Sequence, residues 1–295
     1  MNASEAGLLI ALLIAHGAFV FGWLRAARRD HLRERPSVGD TLIGFVTGFF
    51  DTLGIGSFAP TTALFKFRRR PADELIPGTL NVGFSPAALL ETVLFVTAVT
   101  VQPLLLICMI ASATAGAWLG AGVVSRMSRR KIQLFMGIAL LLAALFFVMR
   151  NLEVFPPGGE AMGLAGWRFA VAVVTNFVLG ALMCIGIGNY APSMIVLSLL
   201  GMHPIAAFPI MMGSDGILQP VASLGFFRSG RFAQGPALGL VLGGCVGVLI
   251  AFYIVKQLPL TALRWLVIVV VTYAAVSMLR SARQSRAQAA AAAPG

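Results

Sequence analysis

The chain has 295 residues, of which 58% are hydrophobic and 11% charged, and its mean hydropathy is +0.89. So few polar groups cannot cover a soluble surface, which excludes a soluble globular protein. A net charge of +11 would suggest a nucleic-acid partner in a soluble chain, but here the basic residues sit in short segments between apolar runs, as cytoplasmic loops do, and no nucleic acid is expected.

In chain order, apolar runs long enough to span a bilayer predict helices over 7–24, 79–99, 103–124, 132–149, 205–227, 236–255 and 263–279. The first is preceded by Glu5 and no basic residue, and its arginines follow it, so it reads as an uncleaved helix rather than a signal peptide. Two further apolar segments, 40–65 and 169–200, are interrupted near their middles by Gly54-Ile55-Gly56 and Gly186-Ile187-Gly188. Each is one long helix or two half-helices. The interruptions belong to a repeat: 45–60 reads FVTGFFDTLGIGSFAP and 177–192 reads FVLGALMCIGIGNYAP, identical at eight of sixteen positions. Glycine-interrupted hydrophobic segments at matching places in two halves point to the binding site of a secondary transporter.

Loop charge decides how the interrupted segments run. If both enter and leave on the same side, all of the 22 basic residues except Arg150, Arg168, Lys256 and Arg264 share one face; if both cross fully, the bias vanishes. The expected fold is therefore an all-α polytopic membrane protein with its N-terminus outside and its C-terminus cytoplasmic, seven full spans and two re-entrant pairs, a steeply tilted crossing being the alternative. The expected organisation is an N-terminal helix and basic loop (1–39), a first repeat (40–150), an extracytoplasmic linker (151–168), a second repeat (169–279) and a frayed cytoplasmic tail (280–295). Each repeat is a broken pair plus three spans, an odd number of crossings, so the second copy is inverted. Ser112, Gly116 and Gly120 echo Gly239, Gly243 and Gly247, both sets with the spacing that lets helices approach closely.

Irregular backbone at membrane depth is tolerated where protein buries it or it lines a cavity. Gly54 and Gly56, with Ile55, and Gly186 and Gly188, with Ile187, let the chain reverse; Ser57 and Asn189 then stand where N-caps are wanted, and Pro60 and Pro192 fall within or just beyond the first turn. The product is two half-helix N-termini facing the membrane centre, an anion site that needs no buried lysine or arginine. Packing or hinge glycines are the plainer reading. Asp51, Glu91 and Asp215 also lie at membrane depth, where a carboxyl group is costly and proton coupling is the functional reading, a structural hydrogen bond the other. Asp51 and Asp215 rank ahead of Glu91 because Asp51 abuts the first motif and Asp215 lies in Gly213-Ser214-Asp215-Gly216. Thr79 and Ser214 are candidate hydroxyl donors to an oxyanion, with Gln219 weaker, against the plainer reading of helix-starting and packing residues.

Cys108, Cys184 and Cys245 have no CxxC or metal-ligand spacing, and the position that matches Cys184 in the repeat is Thr52, so a thiol pair across the symmetry axis is missing. His16, His31 and His203 show no metal-ligand spacing. No metal or cofactor is expected. A membrane thiol-redox or sulfur-relay protein and a passive anion channel remain as alternatives.

Over nearly everything from Asp40 to Leu279 the chain resembles the TauE/SafE, or sulfite-exporter-like, family of bacterial permeases: Gly44-Phe45-x-x-Gly48, Gly54-x-Gly56 and Pro60, their recurrence at Gly180, Gly186-x-Gly188 and Pro192, and the Arg129-Arg130-Lys131 turn. That resemblance implies a bacterial inner-membrane transporter, not an enzyme, moving a sulfur oxyanion or organosulfonate without ATP or a redox cofactor. Its partners would be the small anion and the lipid bilayer, with homo-oligomerisation open. Family motifs commonly continue as glycines after G-x-G, whereas this chain has Ser57-Phe58 and Asn189-Tyr190, bulkier residues that narrow or line the pocket.

Overall fold

A computed structural model describes residues 3–29, 34–154, 158–186, 188–254 and 260–291. Among these residues are eleven α-helices and no strand: α1 (Ala3–Arg29), α2 (Val38–Thr52), α3 (Phe58–Arg68), α4 (Ile76–Ala98), α5 (Pro103–Val124), α6 (Arg129–Asn151), α7 (Gly166–Met183), α8 (Tyr190–Leu199), α9 (Ala207–Ser229), α10 (Gln234–Ile254) and α11 (Leu260–Ala291). All but α2, α3 and α8 are long and apolar enough to cross a membrane. Large apolar side chains such as Trp118, Val174 and Val269 stand more than half exposed on the outside of the bundle, a surface suited to lipid. The chain is a multi-pass membrane protein.

The tail from 280 onward, expected to fray, continues α11 as helix to Ala291. Its alanines, arginines and glutamines are strong helix formers, so propensity extends the span beyond its apolar part.

Close contacts fix the direction of each helix relative to its neighbours. In α2 and α10, Gly44 lies on Leu240 and Gly48 on Gly244, so the two run parallel. In α5 and α7, Gly116 lies on Phe177 and Gly120 on Ala181, again parallel. By contrast, α4 and α9 are antiparallel, with Gly78 against Phe226 and Thr92 Oγ1 donating to the Met212 carbonyl at 2.6 Å. So are α6 and α11, with Gly137 against Ala275 and Leu279, and Ser285 Oγ donating to Gln133 Oε1 at 3.1 Å. Outside this set α1 runs parallel to α9, with Leu12 beside Gly216 and Gly22 beside Leu224.

The packing partners exchange when α2 to α6 are swapped in order for α7 to α11: α2 on α10 becomes α7 on α5, α4 on α10 becomes α9 on α5, and α3 on α11 becomes α8 on α6. The glycines singled out by spacing serve this pattern. Gly116 and Gly120 let α7 approach α5, and Gly239, Gly243 and Gly247 let α2 approach α10.

Both interrupted segments are hairpins. A capping box between Ser37 and Asp40 starts α2, and Arg68 Nη1, the last residue of α3, donates to Asp40 Oδ1 at 2.8 Å. At the other end of the bundle Arg168, near the start of α7, donates from Nη1 to the Leu200 carbonyl that caps α8, at 3.5 Å. Each pair leaves by the end at which it entered. Although α7 is long enough to span, it is the first arm of a hairpin.

Candidate functional site

The turns between the hairpin arms carry the repeated motif. Gly54, Gly56 and Gly186 have φ of 76°, 88° and 97°, a region that costs glycine little and other residues much. Ile55 and Ser57 complete the first turn, and Gly188 and Asn189 the second; Ile187 lies outside the described residues. Pro60 and Pro192 fall in the first turns of α3 and α8, where a missing N–H leaves no intrahelical bond unmade. Both turns open on one cavity of about 180 Å³, lined by Ile55, Gly56, Phe58 and Ala59 from the first, Gly188, Tyr190 and Pro192 from the second, and side chains of α6 and α7. Phe58 and Tyr190 line it where glycines would leave it wider.

The cap residues differ from expectation. Neither Ser57 nor Asn189 caps its helix through the side chain. Asn189 Nδ2 instead donates to Asp215 Oδ1 at 2.8 Å, and Ser57 sits against the Asp51 carboxyl. With these side chains turned to the carboxyl groups, the first N–H groups of α3 and α8 have no side-chain acceptor at the cap position.

Asp51, Glu91 and Asp215 converge behind the turns from α2, α4 and α9. All are buried, at 3%, 1% and 1% exposure. Glu91 accepts from Thr52 Oγ1 at 2.8 Å and from the Tyr190 hydroxyl at 3.3 Å; that hydroxyl also meets Met212 Sδ at 2.7 Å and faces Asp51. Asp215 is approached by Gln219 Nε2 at 3.5 Å. The three carboxyl groups lie within electrostatic range of one another, and among the described residues no basic side chain acts on them. Nor do they form a metal-binding group. Asp51 Oδ1, Asn189 Oδ1, Gln219 Oε1 and Ser193 Oγ are buried without a protein partner.

Two other expected donors lie apart from the turns. Thr79 Oγ1 donates to the Leu75 carbonyl at 2.7 Å and accepts from Ala233 N at 2.9 Å, joining the starts of α4 and α10; it is twelve residues, about 18 Å of helix, from Glu91. Ser214 is next to Asp215, but its hydroxyl accepts from Asn176 Nδ2 at 3.2 Å, tying α9 to α7. The cysteines do not gather. Cys184 Sγ donates to the Ala117 carbonyl at 3.2 Å, and Ala117 is about 13 Å along α5 from Cys108, too far for a disulfide.

Sequence reasoning ranked Glu91 last and did not connect Tyr190 to it, because the link joins residues 99 positions apart. A basic side chain also reaches the first turn, although the expected anion site needs none. Arg150 Nη1 donates to the Gly54 carbonyl at 3.2 Å, and the available signal was that Arg150 is one of four exceptions to the loop-charge pattern.

A family model described as sulfite exporter TauE/SafE matches residues 3–147. Over those residues the chain is similar to the TauE/SafE family. The TauE/SafE match runs from α1 to the end of α6 and takes in the first turn with Asp51 and Glu91. The family it describes is one of membrane exporters of sulfite, in agreement with the resemblance in the motifs. No curated protein and no solved structure matches the chain.

Proposed function

We propose that the chain is a secondary transporter of a small oxyanion, a sulfur oxyanion or an organic sulfonate or carboxylate, working by alternating access of two inverted repeats, 40–150 and 169–279, in the bacterial inner membrane. The observation that carries this reading is that both Gly-Ile-Gly turns meet at one cavity with three buried carboxyl groups behind it. The antiparallel packing of α4 on α9 and of α6 on α11 supports the inversion. The loop charges support an outside N-terminus and a cytoplasmic C-terminus.

The substrate oxygens would meet the free N–H groups at the starts of α3 and α8, in a cavity whose apolar walls strip water from the ion. A dipole end contributes only ~0.3–2 kcal/mol, so direct hydrogen bonds carry most of the affinity. An anion beside three ionised carboxylates is repelled; beside neutral carboxyl groups it is not. Anion and protons therefore bind together, and by linkage each favours the other. Tyr190, which lines the cavity and touches Glu91, joins the two sites. The sign is co-transport, with anion and proton moving the same way.

The test is flux of sulfite and of small organosulfonates into proteoliposomes under an imposed proton gradient. Asp51→Asn, Glu91→Gln and Asp215→Asn should lose accumulation against an anion gradient while downhill exchange persists. Unchanged gradient-driven accumulation in all three ends the proton role; no flux of any such anion in wild type ends the transport reading.

A further inference from the structure

Of the four basic residues outside the loop-charge pattern, two face each other. In the antiparallel register of α6 and α11, Gly137 meets Ala275 and Leu279, and Gln133 meets Ser285. Continued toward the other end of the pair, that register sets Arg150 level with Arg264. Arg150 is tied by Nη1 to the Gly54 carbonyl of the first turn, and Arg264 Nε is buried with no hydrogen-bond partner. Neither has a carboxylate partner among the described residues.

Two guanidinium groups brought together at the rim of a membrane site, one with a buried unpartnered donor, repel unless an anion lies between them. Arginine carries five donors in a planar fork that suits two oxygens of one oxyanion at once. With Nη1 of Arg150 held by Gly54, its remaining donors and those of Arg264 are left for a ligand.

We infer that Arg150 and Arg264 form a second oxyanion site at the end of α6, one helical turn from the Phe146 and Phe147 that wall the central cavity. The ligand chemistry is a tetrahedral or pyramidal oxyanion, supplied either by free anion or by a phospholipid headgroup. Its role as a station on the anion path rests on the proposed transport function; its binding does not. Because Arg150 also holds the first turn, an anion that draws the guanidinium away would release the Gly54 carbonyl, which links occupancy of this outer station to the hairpin.

The test uses the purified full chain with sodium sulfite as probe. In detergent stripped of lipid, sulfite should protect both arginines from phenylglyoxal, read by peptide mass spectrometry. In titrations Arg150→Gln and Arg264→Gln should each weaken sulfite binding by about tenfold or more, while Arg150→Lys loses less. Arg168→Gln removes the same charge at the same end and should leave binding unchanged, separating a built site from general surface charge. Protection that appears in proteoliposomes without sulfite and vanishes on lipid removal assigns the oxyanion to a headgroup. Full phenylglyoxal reactivity with sulfite and with lipid, together with wild-type titrations for both glutamine variants, overturns the site. Protection without any anion flux would remove the transport reading and leave this site standing, and flux without protection would do the reverse.

Discussion

Replacing Gly116 or Gly243 by alanine tests the exchange of packing partners directly. A Cβ at Gly116 would lie 1.9 Å from the Phe177 carbonyl oxygen, and one at Gly243 would lie 1.9 Å from the Thr41 carbonyl oxygen. Ordinary carbon–oxygen contact is roughly 3.3 Å, so each helix pair must part by about 1.4 Å, and backbone on both sides leaves no side chain to rotate out of the way. Overpacking of this kind costs about 3 kcal/mol, against which alanine's better helix propensity returns about 1 kcal/mol. The net loss of about 2 kcal/mol should lower Tm by roughly 4–8 °C in detergent. The two variants should lose similar amounts, because α5 on α7 and α10 on α2 are the same contact in the two sets of helices. Gly122→Ala, with nothing within 4 Å of the added carbon, is the control and should be neutral or slightly stabilising. Since α7 and α2 are the first arms of the two hairpins, both destabilised variants should also lose anion flux. Scanning fluorimetry on the three purified variants decides it: Gly116→Ala and Gly243→Ala melting with Gly122→Ala would refute the close approach, and a large loss in only one would refute the equivalence.

Tyr190→Phe keeps the cavity wall but removes the hydroxyl between Glu91 and Met212; it should cost about 1 kcal/mol of stability and reduce gradient-driven accumulation more than downhill exchange, and equal losses in the two flux modes would argue against a coupling role. Asp73→Asn strips the partner from Lys66, whose Nζ lies 2.9 and 2.7 Å from the two carboxylate oxygens, at a place where Gln133 Nε2 also donates at 2.7 Å. With the two side chains only 11% and 9% exposed, the unpaired lysine should cost about 3 kcal/mol, and the double change Lys66→Met with Asp73→Leu should recover much of it; a fully stable Asp73→Asn protein would show the pair to be idle.

The helices and the glycine turns were legible in the chain because each depends on local information. Apolar length selects the spans, and positive φ selects Gly54, Gly56 and Gly186. Beyond its apolar part α11 runs on to Ala291, where the helix propensity of alanine, arginine and glutamine carries it. What the tertiary structure alone decided is which polar groups meet. Ser57 and Asn189 satisfy the sequence rules for N-caps, yet both have αR backbone and their side chains turn to Asp51 and Asp215, and which carboxyl group lies near is set by packing. Thr79 resembles a site donor in sequence but binds Ala233 N at the start of another helix. Glu91 with Thr52 and Tyr190, and Arg150 with Arg264, come together from segments that share no periodicity, so only the way α2, α4, α8 and α9, or α6 and α11, cross one another could bring their side chains to one place.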